Sequence, residues 1–392
     1  MSLSIDNTQV SAPAINRQRP LMIALVVLAA ITPSLLMTAP AVAAQLASQW
    51  GLAPARIGNL FMAELGAMSL ATVPAFWWLK RVDLRKAGLL AGALFVVGNL
   101  LSALVSDYSL LMLMRITAGL GGGSLMILCM VSAALMGNGS RVYGFWVLGQ
   151  LVLGAIGLQV LPLLFARHGL AACYLSLAAL MAVALPLVRN FPIALSSAAD
   201  QPRAPIAKGR ALLGILAILC FYVSLSGVWT FIGGIASHAS ISPQDSGQVL
   251  AIATLMGIVG AACTALIGGR LPRTPLLILG YALMLGAVLL LQNEPAALRF
   301  ACAALIFKFT WTFVLPLILA CLAELDPSGR LMNLSNLVIG AGLAIGPGIA
   351  GHLIQASGDY RTTLLGAAAL TLLSLLLILA GRRPGAAATV HP

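Results

Sequence analysis

The feature that most constrains this chain is a recurrence of uninterrupted apolar runs, about twelve of them, each roughly 18–26 residues long. They lie near Leu21–Ala43, Ile57–Leu79, Ala87–Ser106, Leu110–Met136, Val142–Phe165, Ala171–Val188, Ala211–Gly234, Gly247–Gly269, Pro275–Gln292, Leu298–Leu322, Leu331–Ala356 and Thr363–Ala380. A helix of that length crosses about 30 Å of hydrocarbon. A spanning barrel would instead alternate polar and apolar residues in segments of about ten. With 60% of its residues hydrophobic and 8% charged, the chain has too little charge to cover a soluble surface. The expected fold class is an all-α membrane protein with twelve transmembrane helices.

The formal net charge of +12 raises the question of nucleic acid, and its distribution answers it. If the N-terminus lies in the cytoplasm, sixteen of the 22 lysines and arginines fall in cytoplasmic segments. Four (Arg56, Arg167, Arg299 and Arg361) fall on the opposite side, and Arg115 and Lys308 fall within spans. That asymmetry is the positive-inside bias, which places both termini in the cytoplasm. The basic balance therefore describes topology and implies no nucleic-acid partner.

Six cysteines (Cys129, Cys173, Cys220, Cys263, Cys302 and Cys321) all lie in apolar runs, without C-x-x-C or histidine-interleaved spacing. Neither a disulfide framework nor a metal site is expected; reduced, buried thiols acting as small apolar side chains are. Near the start, Arg17 to Pro20, an apolar run and Ala41-Val42-Ala43 resemble a secretory leader. The run exceeds the 7–15 residues of a leader's apolar region, so it reads as the first span.

Taken in order, residues 1–20 form a polar tail and residues 21–190 hold six spans. Residues 191–210 form a basic linker rich in Pro, Ala and Ser, residues 211–381 hold six more spans, and residues 382–392 form a second tail. The first span carries Pro33 and Pro40, with Ser34 and Thr38 four apart. Glu64 is the one acidic residue deep in a span. The fourth span joins Arg115 to a glycine run through Gly123, which would let another helix approach closely. The fifth sets Trp146 and Gln150 on one face. The second half echoes the first, with Lys308 in the tenth span where Arg115 stands in the fourth, and a glycine-rich eleventh span where the fifth is glycine-rich. Two pseudo-symmetric six-helix bundles with a site near the midplane are one arrangement that secondary transporters use.

Lys308 lies near the middle of the tenth span, where an ammonium costs roughly 2.5–3.5 kcal/mol and normally faces a cavity or a partner. Trp311 and Thr312 follow at three and four residues, on the same helical face. Tyr222, Ser226 and Thr230 make a second stripe on the seventh span, with Trp229 beside it. His238 and His352 fall toward the ends of their spans, where interfacial roles are expected.

The whole chain resembles the major facilitator superfamily: twelve spans, both ends cytoplasmic and a central cytoplasmic linker. Arg115 with Gly119 and Gly121 matches that family's fourth-span pattern, and Gly346-Pro347 with Gly351 is familiar in its eleventh. The loop after the second span departs from the family's Gly-x-x-x-Asp-Arg-x-Gly-Arg-Arg pattern: Arg85-Lys86 supply the final basic pair, but Leu84 and Arg81 stand where glycine and aspartate are expected. The fifth span also lacks the antiporter Gly-Pro pair. The resemblance implies a multi-pass cell-membrane protein of the bacterial inner-membrane kind, acting as a monomer by alternating access, with spans one, four, seven and ten lining a central cavity.

The expected function is secondary active transport of a small organic solute, an organic and aromatic anion by the two buried cations and the tryptophans, coupled to protons. Glu64 and Arg115 are the proton-coupling candidates, and a static ion pair is the competing reading of the two. Substrate-binding candidates are Lys308, Trp311, Thr312, Arg115, Tyr222, Ser226, Trp229, Thr230, Ser34, Thr38, Trp146 and Gln150. An exporter of amphipathic drugs or sugars is the runner-up, with Glu64 as the contact for cationic cargo. A receptor or membrane-embedded enzyme fits less well, because no catalytic constellation and no phosphate-binding glycine loop is present. No cofactor or metal is expected.

Overall fold

The computed structural model describes residues 12–79, 81–136, 139–193, 208–267, 270–326 and 330–381. Most of the expected linker, residues 1–11 and the tail from residue 382 lie outside them. The first expected span comprises α1 (Ala12–Ile31), α2 (Ser34–Met37) and α3 (Ala39–Trp50), and the second α4 (Pro54–Leu70) and α5 (Thr72–Trp78). Four helices follow: α6 (Leu84–Leu104), α7 (Tyr108–Ala134), α8 (Gly139–His168) and α9 (Ala171–Ala184), the last extended by a 3₁₀ turn at Leu185–Asn190. After the linker come α10 (Lys208–His238), α11 (Pro243–Ile267), α12 (Arg273–Leu290), α13 (Ala297–Leu325), α14 (Arg330–Ser357) and α15 (Arg361–Gly381).

Among the described residues, ten helices are long and apolar enough to cross a membrane. The spans expected over Leu21–Ala43 and Ile57–Leu79 are both interrupted. The cause is proline, which lacks the N–H that the carbonyl four residues earlier requires. Pro33 and Pro40 bracket α2, and Pro74 lies just past the break at Ala71. Elsewhere the sequence supplies ordinary stops and starts. Asp107 caps α7 by accepting from the Leu110 amide at 2.9 Å. Gly51 ends α3 at φ +60°, a conformation that costs glycine little.

Asp83, near the aspartate position of the family loop, caps α6 by accepting from the Arg85 amide at 2.8 Å. Arg85 in turn donates to the Phe191 carbonyl, also at 2.8 Å, tying that loop to the end of the first six expected spans.

Chain reversal alternates between two poles, one at Gly51 and the other at Asn190. Helices before residue 191 meet helices after residue 207 along three principal seams: α4 on α14, α8 on α11, and α3 on α10. Glycines make these approaches possible. A Cβ at Gly247 would fall 2.6 Å from the Leu158 carbonyl oxygen, and Gly58 and Gly351 leave room for the backbones at Pro347 and Pro54. The described hydrogen bonds between these two sets of helices are Trp229 Nε1 to the Leu36 carbonyl, the Ala55 amide to Gln355 Oε1, and the His352 Nε2 contact with Asn59 Oδ1. All three lie in the half of the molecule nearer the Gly51 pole.

Candidate functional site

Arg115, wholly buried on α7, is held mainly by α6. Its Nε donates to Ser102 Oγ at 3.0 Å, and its Nη2 donates to Asn99 Oδ1 at 3.0 Å and to the Gly98 carbonyl at 3.2 Å. The guanidinium also stands 4.4 Å from the centroid of the Tyr174 ring. Glu64 on α4 adds one contact, Nη1 to Oε1 at 3.4 Å. Its other oxygen, Oε2, is buried without a hydrogen-bond partner among the described residues. The expected fourth-span glycines have their expected use: Gly119 and Gly123 admit α4, while a Cβ at Gly121 would fall 2.6 Å from the Ala91 carbonyl oxygen of α6.

Lys308 on α13 is 2% exposed and sits in an aromatic stack. Its Nζ lies 4.0 Å from the centroid of the Trp229 ring and 4.5 Å from that of Trp311. Phe307 lies parallel to Trp229 at 6.4 Å and edge-on to Trp311 at 6.1 Å. Tyr222 meets Trp311 edge-on at 6.4 Å. Among the described residues no carboxylate pairs with this ammonium and no protein acceptor receives its three N–H groups. A desolvated cation–π contact contributes about 2 kcal/mol, but it supplies no oxygen to a group built of three donors. The arrangement suits an anion entering beside flat aromatic faces.

The two prolines of the first span are answered from other helices. Pro33 leaves the Ala29 carbonyl without its intrahelical donor, and Gln150 Nε2 on α8 donates to it at 3.1 Å. Pro40 does the same to the Leu36 carbonyl, and Trp229 Nε1 on α10 donates to that at 2.9 Å. Trp229 therefore has two uses, its edge for α2 and its face for Lys308.

Of the expected binding set, Trp229, Trp311 and Tyr222 gather round Lys308, and Arg115 stands in its own cluster with Glu64. The remaining side chains turn elsewhere. Thr312 donates to the Gly257 carbonyl of α11 at 2.6 Å. Ser226 donates to the Gly342 carbonyl of α14 at 3.0 Å, and Thr230 to the Ser226 carbonyl of its own helix at 2.8 Å. Ser34 and Thr38 donate to the carbonyls of Ala30 and Ser34, easing the break around Pro33. Trp146 is buried against Tyr143, with ring centroids 5.6 Å apart. For the hydroxyls the reason is common: in an apolar helix each bonds a carbonyl within reach, and side-chain type does not say which way it points.

The expectation that every cysteine is buried is corrected at Cys302, which is exposed on α13; all six are free thiols. His238 is exposed 3.4 Å from Glu294, and His352 Nε2 is 3.1 Å from Asn59 Oδ1, both toward helix ends as expected. Among the described residues no group of three metal-ligating side chains converges. Sequence reasoning passed over Phe307, Tyr174, Asn99 and Ser102. The polar pair Asn99 and Ser102, three apart in an apolar run, was a usable signal. Phe307 and Tyr174 carried none, since aromatic residues in such helices usually pack.

A profile described as Major Facilitator Superfamily matches residues 21–330. An uncharacterised transporter of that type from Bacillus subtilis, YceJ, is 23% identical over 307 residues, covering 75% of this chain and 79% of that protein. Among solved structures, a point mutant of the nucleoside transporter NupG aligns with a TM-score of 0.74 at 12% identity, over 93% of this chain and all of that one. A bacterial homologue of the human lysosomal transporter Spinster, inward-facing and occupied, aligns at 0.72 with 14% identity, over 96% of this chain and all of that one. With the profile spanning most of the chain and the same helical fold running the length of solved transporters, this multi-pass membrane protein belongs to the Major Facilitator Superfamily.

Proposed function

We propose that the protein is a secondary active transporter of a small organic anion, with an aromatic or otherwise flat body, driven by protons. The observation that carries the substrate class is Lys308: a buried ammonium lodged among Trp229, Trp311 and Phe307 with no counter-ion among the described residues. An anion's oxygens would complete the hydrogen bonding of the ammonium, and the rings would stack on its body. The nucleoside transporter with the same fold acts on molecules that share a flat ring; the unpaired cation is what points here to an acid instead of a neutral solute.

Proton coupling is assigned to Glu64. Arg115 has four partners besides Glu64 (Asn99, Ser102, the Gly98 carbonyl and the Tyr174 ring), which supports a reading in which a proton comes and goes on Glu64 without disassembling the cluster. The alternative of cationic cargo on Glu64 is the weaker reading, since that carboxylate already faces a guanidinium. The remaining layout follows the family: two six-helix bundles over residues 21–190 and 211–381, joined by a cytoplasmic linker. The monomer would rock about a midplane site in a bacterial inner membrane, with both termini in the cytoplasm.

The decisive experiment is a stabilisation screen of purified protein against organic acids and their neutral amides. It is followed by uptake of any hit into proteoliposomes with and without a pH gradient. Stabilisation by acids and not amides, lost in Lys308→Met, is the expected result. Equal response to acid and amide would remove the anion assignment.

A further inference from the structure

Three observations meet at Trp229. Its ring face packs the Lys308 ammonium at 4.0 Å. Its N–H crosses from α10 to the Leu36 carbonyl of α2, whose helical donor four residues on is removed by Pro40. One helical turn further toward the Gly51 pole, Pro40 and Gly233 are in backbone contact, and both line a cavity of about 410 Å³ between α3, α8, α10 and α11. Gln45 and Ser237 line the same cavity from the two sides of the seam. The Leu36–Trp229 bond thus stands as the latch directly beneath that cavity's floor.

We propose that Trp229 is the positioning residue that links occupancy of the Lys308 site to opening of the Gly51 pole. A ligand that draws the ammonium off the indole face frees the ring to turn. Turning withdraws the N–H from the Leu36 carbonyl and unlatches α2 from α10. The Pro40–Gly233 contact then parts and joins the cavity to the site. The break in the first span is what makes this possible, because an unbroken helix would bond the Leu36 carbonyl internally and leave nothing for another helix to hold. The inference rests on the transporter reading above for its substrate, but the latch itself is a property of the empty protein.

The test uses the full chain in lipid nanodiscs, its native cysteines replaced, with spin labels at Gln45→Cys and Ser237→Cys and distances read by pulsed electron resonance. Trp229→Phe keeps an aromatic face and loses the donor. It is expected to raise the ratio of open to closed distances about threefold, the size of one interhelical hydrogen bond in a membrane. Pro40→Ala leaves the aromatic stack untouched and gives the Leu36 carbonyl a donor within its own helix, so it is expected to have the same effect; it also serves if Trp229→Phe does not fold. Lys308→Met is expected to shift the distances in the Trp229 parent and not in Trp229→Phe. Unchanged distances in both Trp229→Phe and Pro40→Ala would overturn the latch, and an equal Lys308→Met shift in both backgrounds would overturn the linkage. If instead the distances respond as expected while no organic acid binds, the substrate assignment fails and the latch stands.

Discussion

Glu64 meets Arg115 through a single oxygen at 3.4 Å, and its second oxygen is buried with none of the described residues bonded to it. Arg115 on its side has Asn99, Ser102, the Gly98 carbonyl and the Tyr174 ring. The pair is lopsided: the cation depends little on the carboxylate, while the carboxylate has, among the described residues, only the cation. A residue held that loosely suits a group whose charge changes during a cycle.

Glu64→Gln should therefore fold normally, with a melting temperature close to the parent's, and lose gradient-driven accumulation while keeping exchange of substrate across proteoliposomes. Accumulation equal to the parent's would end the carrier assignment.

Arg115 should behave in the opposite way. Arg115→Met removes the donor that Asn99 Oδ1, Ser102 Oγ and the Gly98 carbonyl share, a loss of about 1–3 kcal/mol for each group left unsatisfied in the interior. Arg115→Lys should recover little of it, since a compact ammonium does not reach the spread of acceptors that the planar guanidinium fork serves. Thermal unfolding in detergent measures both.

Lys308→Met should separate binding from stability. Removing an ammonium without a counter-ion should leave the melting temperature unchanged or higher. Losing a charge-assisted hydrogen bond of about 1.5–3 kcal/mol should weaken anion binding by about 10- to 150-fold. A variant that binds as the parent does but melts early would make the lysine a strut.

The bond from Gln150 to the Ala29 carbonyl predicts a specific rescue. Gln150→Leu should destabilise by about 0.6–2 kcal/mol. Adding Pro33→Ala, which supplies the carbonyl with a donor from its own helix, should recover much of that. Additive losses in the double variant would show that Gln150 acts some other way.

At the seam between α4 and α14, the Gly58 Cα faces the Pro347 carbonyl with no room for a side chain. Gly58→Val should prevent closure at the Gly51 pole, abolishing transport in a protein that still purifies as a folded monodisperse species. Normal uptake would mean that the seam has slack.

Much of the site's chemistry was legible before its geometry. Lys308, Arg115 and Glu64 stood out because ionisable groups in apolar runs are rare and expensive. The glycines of α7 stood out as places for close helix approach, and those of α14 as an echo of the glycine-rich fifth span. Which neighbours mattered was not legible. Trp311 and Thr312 follow Lys308 on nominally one face, yet the indole turns to the ammonium and the hydroxyl to the Gly257 carbonyl. Three and four residues span about 60° and 40° to either side of a helix's own line, enough to reach different partners.

Local composition was sufficient for the helices, their apolar lengths and the breaks at Pro33 and Pro40, because backbone hydrogen bonding in lipid must close within each segment and proline visibly prevents it. Where the orphaned carbonyls would find donors depended on helices more than a hundred residues away, Gln150 for Ala29 and Trp229 for Leu36. Those pairings depend on the rotation and depth of whole helices against one another. Only the packed structure settles these, because an apolar helix surface in an apolar solvent gives no local preference for which face turns inward.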